Sequence, residues 1–380
     1  MGSNITPQTS IHSSGRVVFL DYLRALACLT VIIVHSCEFF YIGAEYPLCI
    51  KILADLHWAN LIDSLFRPAV PLFVMASSYL LVPLRDDTQT FFKRRFTRVA
   101  IPFIVWMILY ALIPQFGGSW ADMDLVANAR ALLFNFPGIA GHLWFVYMLL
   151  GVYLLMPIIS PWIKTLTKRG EEIFIGVWFL TTFIPFMRYL GQAELYGEAI
   201  WNEFSLFYYI SGYIGYVVIA HYIRTYVIDW SWRKTLSVGL PMFVAGYAIT
   251  CGWYYWYALS EVGVNAEGMI LGGIADLRDV EASWRFCTPG VALMSVALFL
   301  GFKKITCDTG WFYRLMADIS KLSYGMYLMH IFILNAVFRG LTGNLPTPLS
   351  ILTTAVTTYV ISYLLTKAIS YIPKSKYLIG

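Results

Sequence analysis

Apolar windows of about twenty residues, each long enough to cross a bilayer, recur along this chain from residue 17 to residue 372. Ten candidate spans follow: 17–41, 62–84, 99–115, 142–163, 172–190, 204–222, 235–258, 285–302, 322–341 and 348–372. Composition points the same way. Apolar residues make up 59% and charged residues 13% of 380, whereas a soluble domain is roughly a quarter charged. A water-soluble enzyme, a disordered chain, a collagen and a coiled coil are all excluded. The expected fold is all-α: a polytopic integral membrane protein of about ten transmembrane helices. A polar segment 1–16 precedes a single transmembrane domain 17–372, and 373–380 forms a short tail. The first apolar run is interrupted by Asp21 and Arg24 and has no A-x-A site after it, so a retained helix fits better than a cleaved signal.

Orientation is read from the connections. Of 27 Lys and Arg, three fall inside spans, six lie on one face and eighteen on the face that holds the N-terminus. That bias places both termini in the cytoplasm, and an even span count agrees. No basic arm, zinc-finger or RNP pattern is present, so nucleic acid is not an expected partner. The six cysteines are scattered without CxxC spacing, which argues against a disulfide framework and against a metal site.

The charges inside the first span need a partner or a purpose, because an arginine near the midplane costs at least about 2.5–3.5 kcal/mol. Arg24 and His35 are eleven residues apart. On a helix they differ by roughly 20° and share one face, about 16 Å apart along it. Cys28 falls between them, and Asp21 and Glu38 extend the stripe. One reading is structural: an Asp21–Arg24 pair and a histidine bonded to a neighbouring helix. The other is a polar lane joining the two membrane faces.

Asp21-Tyr22-Leu23-Arg24 followed after ten residues by His35 resembles the Arg-x10-His signature of the membrane-bound acyltransferase family 3. Further motifs resemble the family's in order. Arg67-Pro-Ala-Val-Pro-Leu-Phe-Val-Met-Ala-Ser-Ser-Tyr79 is similar to its second-helix motif, with Ser78 in place of the usual Gly. Phe92-Lys-Arg-Arg-Phe-Thr-Arg98 is similar to the basic loop before helix three, His142-Leu-Trp-Phe145 to the opening of a central helix, and Ile319-Ser-Lys-Leu-Ser-Tyr-Gly-Met-Tyr-Leu-Met-His330 to a late motif. The wording of the first helix and Thr288-Pro-Gly look closest to the enterobacterial-common-antigen O-acetyltransferase branch. The resemblance implies a multi-pass enzyme of the bacterial inner membrane. It would move an acyl group, expected to be acetyl, from cytoplasmic acyl-CoA to a hydroxyl of a lipid-linked or surface glycan. It implies no permanently bound cofactor: acyl-CoA, the glycan acceptor and membrane lipid are the expected partners. Oligomeric state is left open.

Catalytic roles are expected for His35 and Arg24. A neutral imidazole can take a hydroxyl proton near neutral pH, or accept the acyl group itself. Arg24 would hold the donor or stabilise developing negative charge; Cys28 is a weaker rival nucleophile. Lys93, Arg94, Arg95 and Arg98 fit either positive-inside topology or the phosphates of acyl-CoA. Arg67, placed near the outer end of its span before Pro68 and Pro71, either snorkels or serves the site. His142, Trp144, Glu203, Tyr327 and His330 are candidates for the acceptor side or for supporting it. Trp144 also fits an ordinary interfacial tryptophan and His330 a helix–helix hydrogen bond. A transporter or flippase of glycan precursors is the alternative, since a polar lane serves passage as well as reaction.

Overall fold

The computed structural model describes residues 16–42, 52–114, 118–119, 123–134, 138–187, 209–258, 262–272 and 281–380. Its elements in chain order are α1 (Val18–Cys37), α2 (Leu53–Phe66), α3 (Ala69–Leu81), α4 (Thr88–Leu112), α5 (Leu125–Phe134), α6 (Trp144–Thr165) and α7 (Lys168–Thr181). Then come α8 (Ile184–Met187), α9 (Ile214–Tyr226), α10 (Trp232–Ala258), α11 (Pro289–Phe302), α12 (Gly310–Val337), α13 (Thr347–Ser370) and α14 (Lys376–Ile379). Between α10 and α11 a two-stranded antiparallel ribbon, β1 (Gly263–Val264) with β2 (Ile270–Gly272), pairs Gly263 with Gly272 and Val264 with Ile270.

Among the described residues nine helical elements are long and apolar enough to cross a membrane. The candidate 204–222 is the exception to the expected ten. Its first residues, 204–208, lie outside the described ones, and α9 has only 13 residues.

Burial sorts the helices into a centre and a rim. The most apolar window of α1 is 78% buried, against 28% for those of α7 and α10. Helix α1 packs on α2, α3, α11, α12 and α13, so its polar face looks into protein. Rim helices turn apolar side chains such as Leu180, Val244 and Leu364 outward, as lipid requires. One close helix crossing is glycine on glycine. A Cβ on Gly246 of α10 would lie 2.5 Å from the carbonyl oxygen of Gly290 in α11, so small residues let these backbones meet.

Local chemistry places the ends and breaks. Asp87 caps α4, its carboxylate accepting from the Thr90 amide at 2.9 Å. The helix therefore starts before the basic segment, and Phe92–Arg98, expected as a loop, is helical. Pro68 separates α2 from α3, because proline has no N–H for the helical ladder. The second span runs from Leu53 to Leu81, longer at its start than the 62–84 expected. Within the tail, α14 packs on α12, with Ile379 buried against Gly325.

Candidate active site

A cavity of about 1160 Å³ runs beside α1. It is lined by Lys321, within α12, and by Arg339, just beyond that helix's C-terminal end. Eighteen residues of helix separate them, roughly 27 Å, which is close to the hydrocarbon thickness of a bilayer. Arg24, Val31, Val34, His35 and Glu38 supply the wall from α1, as one face of a helix must. Cys28 is not on this wall. It is 2% exposed, with its thiol against the Ser323 carbonyl at 3.9 Å, so the expected lane of Arg24 and Cys28 is lined instead by Arg24 and valines.

The Arg24 end is cationic. Arg95, Arg98 and Lys321 line it together with Arg24, and among the described residues no acidic one lines that end. The anticipated Asp21–Arg24 pair is absent. Asp21 accepts from Arg16 at 2.9 Å and from the Tyr313 hydroxyl at 3.3 Å. Among the described residues no hydrogen bond or ion pair engages the Arg24 guanidinium. The basic segment divides in two: Arg95 and Arg98 line the cavity, whereas Lys93 and Arg94 do not. Arg94 pairs with Asp86 at 2.6 Å on the exposed surface.

Midway, His35 meets Glu38 one turn later on the same helix, with Nδ1 2.8 Å from Oε1. An ionised carboxylate only accepts, so Nδ1 carries the proton and Nε2 of the neutral ring keeps a lone pair. His142 and His330 stand beside it. Ring centroids are 5.2 Å apart for His35 and His330, 6.2 Å for His35 and His142, and 5.0 Å for His142 and His330. His142 lies in the 3-10 turn Gly138–Leu143 ahead of α6, not inside the helix. Its carbonyl accepts from the Tyr327 hydroxyl. His330 sits behind the wall at 0% exposure, donating through Nδ1 to the Tyr327 carbonyl. Among the described residues neither ring nitrogen of His142, nor Nε2 of His330, makes a well-formed hydrogen bond, although the Leu328 carbonyl lies near the His142 ring. Each buried polar atom left unsatisfied costs about 1–3 kcal/mol.

The far end mixes charge with rings. Arg67 lies mid-element at the α2–α3 break, 7% exposed, so it does not snorkel. It forms a two-pronged pair with Asp63 one turn earlier, with Nη2 to Oδ2 at 2.8 Å, and reaches the Tyr41 hydroxyl at 3.3 Å. Its guanidinium also covers the Trp284 ring at 4.9 Å. Trp144 lines the cavity and stacks on Phe286 at 5.4 Å. Glu281, Arg285 and Arg339 complete the end. Glu203 lies outside the described residues. Among the described residues no group of three or more His, Cys, Asp and Glu is placed to hold a metal.

Several of these residues escaped the sequence reading. Lys321 was counted with topology charges although it sits in the Ile319–His330 motif. Glu281 and Arg285 precede Thr288-Pro-Gly and had no periodicity to mark them. Glu38 was seen on the stripe, but its i,i+3 spacing to His35 was the signal for an oriented imidazole.

The arrangement offers a base with an oriented proton, an anion cradle roughly 16 Å away along α1, and a ring-lined opening opposite. A family model described as an acyltransferase domain matches residues 17–367. None of the curated proteins and none of the solved structures matches the chain.

Proposed function

Since the chain belongs to the acyltransferase-domain family and is a multi-pass membrane acyltransferase, we propose that it moves an acetyl group from cytoplasmic acetyl-CoA to a hydroxyl of a lipid-linked or surface glycan. The observation that carries this reading is one continuous cavity with a cluster of cations that lacks acidic neighbours at one end and an oriented imidazole midway. In this reading the Arg24 end faces the cytoplasm of a bacterial inner membrane, with both chain termini on that side.

Arg24, Arg95, Arg98 and Lys321 would bind the donor's phosphates, for which Arg and Lys are suited. Coenzyme A is too charged to cross the bilayer, so a donor must reach in from the cytosol with its long, thin pantetheine arm. About 16 Å along the helix separates Arg24 from His35, so Arg24 holds the lower donor and does not touch the reacting carbonyl. His35 takes the acceptor hydroxyl proton at Nε2, and Glu38 fixes the tautomer and stabilises the imidazolium that forms. At the opposite end, the Trp144–Phe286 stack offers faces for a sugar, while Arg67, Glu281 and Tyr327 shape the acceptor's path.

The deciding experiment compares, by mass spectrometry, cell-envelope glycans from strains with and without this protein. A loss of one acetyl mass supports the reading; identical glycans, with acetyl-CoA untouched by the purified protein, overturn it. The same assay judges the flippase alternative, because transport alone leaves acetyl-CoA intact.

A further inference from the structure

The geometry points to His142 as the oxyanion donor: its imidazole N–H would bond the thioester carbonyl oxygen as that oxygen gains negative charge. This rests on the transfer reading above and assigns His142 a contact with the reacting atoms. Three observations converge on it. His142 is 5% exposed yet lines the cavity, and neither ring nitrogen makes a well-formed hydrogen bond among the described residues. An imidazole carries at least one N–H in either tautomer, and the backbone acceptor beside it, the Leu328 carbonyl, already accepts from the Tyr110 hydroxyl at 2.9 Å and makes no well-formed hydrogen bond to the ring, so the N–H is available to a stronger acceptor. The neighbouring Gly141 also lines the cavity, and a Cβ there would meet nothing within 4 Å, so there is room beside the ring for an acyl group.

The contrast with the two adjacent imidazoles sharpens the role. His330 spends its N–H on the Tyr327 carbonyl, as a structural histidine does. His35 gives its N–H to Glu38, as an oriented base does. His142 has no carboxylate to orient it, and the rings of Tyr110, Tyr327 and His330 surround it at 5.1, 5.6 and 5.0 Å. A donor fixed by packing in a dry site acts where charge develops. His35 and His142 both line the cavity with their ring centroids 6.2 Å apart, so one group in the cavity is within reach of both imidazoles.

The step balances. The acceptor oxygen attacks the thioester carbon while His35 Nε2 takes the hydroxyl proton, and the carbonyl π pair moves onto the oxygen bonded by His142. Collapse re-forms the carbonyl and breaks the C–S bond. The thiolate leaves with that pair and takes the proton from His35, giving the ester and coenzyme A.

Infrared difference spectroscopy of carbonyl-labelled acetyl-CoA bound to the protein in nanodiscs tests this without knowing the acceptor. With the wild type, the carbonyl band should fall below its position in water. With His142→Phe, calorimetry should find acetyl-CoA bound within about threefold of wild type while the band rises. Thiol release from acetyl-CoA should drop about 10²- to 10³-fold, the loss expected for one oxyanion donor. His142→Gln, which keeps an N–H, should return part of the shift, and it serves as well if the Phe variant does not fold. A wild-type band at or above the water position overturns the assignment. So does a Phe-variant band that stays where the wild type's lies. Wild-type protein that fails to bind acetyl-CoA overturns the donor reading itself, an outcome calorimetry separates from the other two.

Discussion

The two ends of the cavity are built differently although they share α1 and α12. The Arg24 end holds Arg24, Arg95, Arg98 and Lys321 with no acid among the described residues on its wall, whereas the far end sets Arg67, Arg285 and Arg339 among Glu38, Glu281 and stacked rings. A cationic end without counter-charge holds a potential that a polyanion from water can satisfy. An end with balanced charge and aromatic faces suits a neutral or mixed-charge molecule held by stacking and hydrogen bonds. In the proposed reading this asymmetry orders donor and acceptor along the cavity. The three imidazoles lie at the seam.

The largest effect is expected at that seam. His35→Ala should cut transfer by about 10²- to 10⁴-fold, the range of a general base, with the protein still folded and inserted. Glu38→Gln should cost less. Adding it to His35→Ala should cost nothing further, because an orienting group without its base has nothing to orient. Wild-type turnover by His35→Ala would remove the catalytic assignment.

The far end should fail through stability. Asp63 is 0% exposed and carries the charge opposite Arg67. Asp63→Ala leaves a guanidinium buried and unpaired, which costs about 3–5 kcal/mol. Thermal unfolding in detergent should show a clear drop. Asp21→Ala at the other end should cost less, because the Arg16 guanidinium it leaves behind is partly exposed and can be rehydrated, whereas that of Arg67 is buried. Equal drops would break the comparison between the ends.

What was legible in the sequence follows the same divide. Helical phase is a one-dimensional property, so the Arg24–His35 face could be read from spacing alone, and both residues stand on one wall of the cavity. Membrane spans are legible for the same reason, since length and apolarity decide them. Contacts between helices are not. No periodicity connects Glu281 to Tyr41, 240 residues away, or takes Arg16 to Asp21 in preference to Arg24. The Phe92–Arg98 segment was misjudged because its charges hid a good helix start at Asp87. Arg67 was misplaced because the apolar window began at 62 whereas the helix begins at Leu53, which turned a mid-element residue into one near the end of the span.

The smallest effects test the finest distinction, which lies within the basic segment. Replacing Arg24 by Gln removes a half-buried charge and should raise the KM for acetyl-CoA by about 10- to 100-fold, since hydrogen bonds to charged groups contribute about 1.5–3 kcal/mol. Arg98 is exposed at the cavity mouth, where water and salt screen it. Arg98→Gln should raise KM only by about two- to fivefold, the effect of an exposed pair, and the rise should shrink as ionic strength increases. Arg94 lies four residues before Arg98 but spends its guanidinium on Asp86 away from the cavity. Arg94→Gln should leave KM unchanged and should not alter its salt dependence. A KM that responds equally to Arg94 and Arg98 would mean the segment acts as a diffuse field. In that case the donor is attracted by net charge and not held by the residues that line the wall.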